Sequence, residues 1–184
     1  MRSRKKGCNG SAILEFTLVG IPMIFVLISV FEVARGMWVY HTLAHAVKEG
    51  TRFAIVNGKN CASIPGCTVT IADIADRIRL AGVGLAPNEL EVRLTSMRQS
   101  SGGGVVVNGT PVNCTPLSSC LSRSSQPGDV WPPGPGNRPK MDSVLIEGTY
   151  PFRSAIAMFW PGAGRGMKFA AFWLPASSME VIQF

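Results

Sequence analysis

The feature that most constrains this chain is an uncharged run, Phe16 to Phe31, sixteen residues dominated by Leu, Ile, Val, Phe and Met. Extended back to Ile13 it reaches nineteen residues with one ionised side chain inside, Glu15. A bilayer core of ~30 Å takes roughly 20 residues of helix, so the run is just long enough to span. Composition favours lipid over a large soluble core: only 16% of residues are charged, against ~25% in ordinary soluble domains. Arg2, Arg4, Lys5 and Lys6 precede the run, and Glu32 and Arg35 follow it. The positive-inside rule then places the N-terminus in the cytoplasm and everything after about residue 32 outside it.

The same charges argue against nucleic acid as a partner. The net charge of +7 falls to +3 from Ser11 onward, where 14 basic residues face 11 acidic ones. A nucleic-acid binder carries its excess on the folded domain; here the excess is a membrane-orienting tail. A cleaved secretory signal shares the basic start and the apolar middle, but its small-residue cleavage site should follow closely. The nearest downstream A-x-A match is Ala44-His45-Ala46, thirteen residues after the apolar run ends.

A carboxylate near the start of a span is costly, and Glu15 has a context. Gly10 lies five residues earlier, directly after the basic stretch, giving Gly10-Ser11-Ala12-Ile13-Leu14-Glu15-Phe16. This resembles the type IV prepilin signal. The resemblance implies cleavage between Gly10 and Ser11 by a membrane prepilin peptidase, with the apolar helix retained. Cleavage would leave an α-ammonium on Ser11 at the lipid edge, and a carboxylate is its natural counter-charge. Two groups costly singly become tolerable as a pair, so the resemblance implies that Glu15 of an incoming subunit meets the N-terminal amine of a neighbour. Phe16 would pack between helices.

A narrower resemblance follows. Glu15-Phe16-Thr17-Leu18-Val19-Gly20-Ile21-Pro22, then Glu32-Val33-Ala34-Arg35, then Ala46-Val47-Lys48-Glu49-Gly50-Thr51-Arg52-Phe53-Ala54 is similar to the TadE/TadF-like family of bacterial tight-adherence (Flp type IVb) pilus systems. It covers about residues 7 to 57. It implies a non-enzymatic minor pilin or pseudopilin-like accessory subunit in the inner membrane, with a periplasmic head. The implied partners are the prepilin peptidase, other pilin-like subunits, the pilus assembly platform and membrane lipid.

Beyond the span the helix can continue to about Asn57, with no Pro from Glu32 onward. Val33, Met37, Tyr40, Ala44, Val47, Thr51 and Ala54 recur at steps of four and three, and Leu43 and Phe53 widen that face. A second helix is expected over Ile71 to Leu80, with Ile71, Ile74, Ala75 and Ile78 on one side. Leu90 to Thr95 alternates as a half-buried strand. Val105 to Val107 is a candidate strand, and Ser143 to Phe152 and Phe169 to Leu174 read as later strands, with a short final one over Val181 to Phe184. Thr110 to Lys140, dense in Pro, Gly, Ser and Asn, reads as one long loop. The expected organisation is a leader over 1–10, a transmembrane helix over 11–31, a juxtamembrane helix over 32–57 and an extracytoplasmic head over 58–184. The fold class is α+β, with a pilin-like head of short helix and antiparallel sheet.

Losing Cys8 with the leader would leave Cys61, Cys67, Cys114 and Cys120, two C-x5-C pairs on the oxidising side. Three connectivities are open; 61–67 with 114–120 is favoured because each closes a short loop containing Pro. The spacing is wide for zinc, and no cofactor is expected. His41, His45 and Glu49 lie four apart along the helix, a ligand spacing that equally describes a polar flank. There is no His-Glu-x-x-His, no G-x-S-x-G and no Walker loop. Gly162-Ala163-Gly164-Arg165-Gly166 lacks the strand-to-helix setting of a phosphate loop. The rival reading is a permanently anchored periplasmic binding module that keeps its leader, with Trp131, Trp160 and Trp173 as a carbohydrate-stacking surface.

Overall fold

A computed structural model of the chain describes residues 9–57, 68–99, 105–107, 110–123, 129–132, 143–154 and 171–182. The long helix α1 runs unbroken from Asn9 to Val56, ~72 Å at 1.5 Å per residue. Pro22 lies inside it. From Ala12 to Phe31 its side chains are almost all exposed, and it is long and apolar enough to cross a membrane. Within this stretch the Thr17 hydroxyl donates to the Leu14 carbonyl and the Ser29 hydroxyl to that of Phe25. Their polarity is thereby satisfied within the helix.

The second half of α1 packs on a small α+β domain. Helix α2, Ile71–Ala81, starts at a capping box: Asp73 N–H donates to the Thr70 hydroxyl, and Thr70 N–H donates to the Asp73 carboxylate. Its buried side is Ile71, Ile74, Ala75 and Ile78, the side that its periodicity indicates. The sheet is antiparallel, in the order β2-β1-β4-β5, with β3 also on β1. Strand β1 is Glu91–Gln99, β2 Val105–Val107, β3 Val112–Cys114, β4 Ser143–Arg153 and β5 Ala171–Val181. The two short strands share one edge of β1: β2 pairs with 97–99 and β3 with 92–94.

Strand β4 lies against α1 and runs opposite to it. Gly36 faces the Phe152 ring, Val47 approaches Gly148, and Gly50 approaches Ile146. Fourteen helical residues advance ~21 Å while six extended residues cover ~20 Å, so the two elements stay in step along the whole contact. Gly148 allows the closeness of β4 to α1, and Gly50 that of α2 to α1. A Cβ on Gly148 would lie 2.7 Å from Val47 Cγ2, and one on Gly50 would lie 2.5 Å from Ile78 Cγ1. The core gathers Leu43, Val47, Ile74, Ile78, Val92, Leu94, Val144 and Ile146.

Three expectations need correction. The second half of the expected α1 face is buried at Leu43, Val47, Thr51 and Ala54, joined by Ala46, Gly50 and Ile55, but before Leu43 the inward side runs through buried Glu32 and half-buried Gly36 and Val39, whereas Val33, Met37 and Tyr40 are exposed. The apolar periodicity over 33–44 marks a face one residue out of phase with the face that meets the sheet. The stretch 110–140 is not one loop. It holds β3, a short helix α3 (Leu117–Leu121) and Trp131, which is wholly buried. Cys114, Leu117 and Cys120 supply three-residue apolar steps that the Pro and Ser content obscures, and all three are buried. Finally, β5 passes through Pro175 to Val181. It pairs only with β4 among the described residues, and an edge strand tolerates proline's missing N–H.

The candidate assembly helix and its membrane-proximal clasp

Gly10 and Ser11 lie in the first turn of α1, so the bond between them sits within helical backbone. Glu15 and Phe16 come one turn later, both exposed on a helix whose surroundings are apolar side chains. Gly20 follows Phe16 by one turn, and a Cβ there would meet the Phe16 ring at 3.8 Å. The helix therefore presents a carboxylate and a large ring at successive positions near its N-terminal end.

At the other end of the span, α1 is fastened to the sheet. Arg35 lies over the Phe152 ring, 4.7 Å from its centroid. It donates to the Arg153 carbonyl and sits 3.8 Å from the carboxylate of Glu32, which is 8% exposed. Arg153 in turn pairs with Glu89 at 2.8 Å. The cation thus joins the first polar turn after the apolar run to the end of β4. In the sequence Glu32 and Arg35 stand only as markers of the membrane boundary, because the Arg153 carbonyl that Arg35 meets is 118 positions distant in the chain. Beside the clasp is an open apolar pocket of about 420 Å³, lined by Val33, Gly36, Met37, Tyr40, Phe172 and Leu174 among others.

Cys114 and Cys120 form a disulfide, with Cα atoms 5.5 Å apart, that ties β3 to α3. Cys61 and Cys67 lie outside the described residues, as do Trp160 and the glycine-rich 162–166 stretch. Glu49 is engaged by Arg52 at 3.2 Å, and the His41 ring packs edge-on against Tyr40. Among the described residues no group of three His, Cys, Asp or Glu side chains is arranged to hold a metal ion. Trp131 is in the core and Trp173 is on the sheet edge, so these two do not share a stacking surface.

The fold is thus of the kind in which one long apolar helix carries a small α+β head. A family model described as TadE-like protein matches residues 10–52, the stretch whose motifs carry the resemblance noted above. The match starts at Gly10 and ends within the part of α1 that packs on the head. No curated protein and no solved structure matches the chain.

Proposed function

We propose that this chain is a minor pilin or pseudopilin-like accessory subunit for assembly of a bacterial tight-adherence pilus. It works without catalysis, as a single-pass protein of the inner membrane with its N-terminus cytoplasmic and its head periplasmic. The observation that supports this most is the coincidence of the TadE-like match, residues 10–52, with one continuous helix whose first half is exposed and apolar. On this reading the prepilin peptidase cuts between Gly10 and Ser11. Glu15 then pairs with the Ser11 amine of a neighbouring pilin-like subunit at the assembly platform, and Phe16 packs the two helices. The Cys114–Cys120 disulfide suits a periplasmic head.

The test is the intact mass of the protein extracted from its native membrane. The expected N-terminus is Ser11, and Gly10→Asp should leave the leader attached. A mature protein still beginning at Met1 or Arg2, in cells with an active prepilin peptidase, would refute the processing step.

A further inference from the structure

The apolar stripe Val33, Met37 and Tyr40 lies at the open margin of the helix–sheet contact, lining the apolar pocket with Phe172 and Leu174, and Trp38 beside it is 66% exposed. At the same level, the start of β5 presents Phe172 and Trp173, 54% and 56% exposed. Phe172 packs on Phe152 with ring centroids 5.1 Å apart, and Phe152 touches α1 at Gly36. The sheet end is therefore held by the Arg35 clasp at a fixed height on the helix.

That height can be placed against a bilayer. Gly36 follows the last uncharged residue, Phe31, by five positions, or about 7.5 Å of helix. The headgroup layer on each side of a ~30 Å core is roughly 5–8 Å thick. With α1 spanning, the tip of the sheet thus sits at headgroup level, where Trp and other aromatic side chains are favoured. Exposed apolar side chains continue from the span through Val33 and Met37 to Phe172, which lines one pocket with them; Trp173, next in β5 and so on its opposite face, stands at the same height.

We infer that the membrane-proximal end of the sheet is a lipid-binding surface, in which Trp38, Met37, Phe172 and Trp173 enter the headgroup layer of the same bilayer that α1 crosses. The inference rests on the spanning role proposed for α1. Its consequence is that the head leans on the outer leaflet in a set orientation, with Arg35 joining helix, sheet end and interface.

The test uses full-length protein reconstituted in phosphatidylcholine–phosphatidylglycerol vesicles, with lipids brominated near the headgroup end of the acyl chain as fluorescence quenchers. In a Trp38→Phe, Trp160→Phe background, the emission that disappears on further Trp173→Phe substitution belongs to Trp173; Trp131, in the core, serves as an unquenched reference. Loss of Trp173 emission in the brominated vesicles is expected. Unchanged emission overturns the inference, whatever covers the surface instead. A separate Phe25→Trp reporter, quenched by bromines placed deep in the chain, checks the span. If that reporter is quenched and Trp173 is not, the docking fails and the span stands. If neither is quenched, the spanning role falls and the docking with it.

Discussion

Replacing Gly50 with alanine sets two effects of known size against each other. In an unconstrained helix interior the change is favourable by ~1 kcal/mol, because alanine loses less backbone entropy than glycine. Here the new Cβ would lie 2.5 Å from Ile78 Cγ1 and 2.9 Å from Ile78 Cδ1, where carbon atoms prefer ~3.5–4.0 Å. Ile78 is wholly buried and branched at Cβ, so α2 must move away from α1. Overpacking of this kind costs ~1–3 kcal/mol and occasionally more. A net loss of about 0–2 kcal/mol is expected, or up to roughly 8 °C in melting temperature for a chain of this size. The assay is thermal unfolding in detergent, followed by near-ultraviolet circular dichroism. Gly20→Ala is the control: its Cβ meets only the Phe16 ring, at 3.8 and 4.0 Å, so no loss is expected. Ile78→Ala alone should cost ~2–5 kcal/mol through the cavity it leaves. Combined with Gly50→Ala it should cost less than the sum of the two, because the added methyl enters that cavity. A Gly50→Ala protein that melts above wild type, or strictly additive losses in the double variant, would refute the close seating of α1 on α2.

Two further outcomes follow from the same packing. Cys114→Ala with Cys120→Ala removes a short covalent loop worth ~2 kcal/mol in the chain-entropy model; the melting temperature should fall, and alkylation of the wild-type protein without reductant should leave both thiols unlabelled. Arg35→Met keeps an unbranched apolar stem but removes the cation over Phe152 and the donor to the Arg153 carbonyl; a loss of about 1–2 kcal/mol is expected, and no change in melting would mean that the clasp does not hold the sheet end.

How much of this was legible in the sequence depends on the range of the interactions. The buried side of α2 and the strand at 143–153 follow from local periodicity, since Ile71, Ile74, Ala75 and Ile78 need only a 3.6-residue repeat to show their shared side. The phase of α1 is not local. Val33, Met37 and Tyr40 make as regular a stripe as the one that meets the sheet, and only the contacts of Gly36, Val47 and Gly50 with β4 and α2 decide between the two. Gly50 adds no side chain to any apolar stripe, yet it is where α2 comes closest to α1. Proline content likewise hid β3, α3 and the burial of Trp131, whose backbone N–H donates to the Val69 carbonyl at 2.9 Å across a long sequence gap. Of the candidate assembly residues, Gly10 and Glu15 were visible because their spacing is a local motif. The Arg35 clasp was not, because its partner enters from β4.

On the proposed function, Glu15 serves assembly and not folding. Glu15→Leu makes the span more apolar, so insertion and head stability should persist, while pairing with a neighbour's Ser11 amine is lost. The most direct measurement is pilus yield against protein level in the same cells, wild type beside Glu15→Leu. The account predicts protein at wild-type level with pili strongly reduced, and Glu15→Asp in between. Wild-type piliation in the Glu15→Leu strain would contradict it.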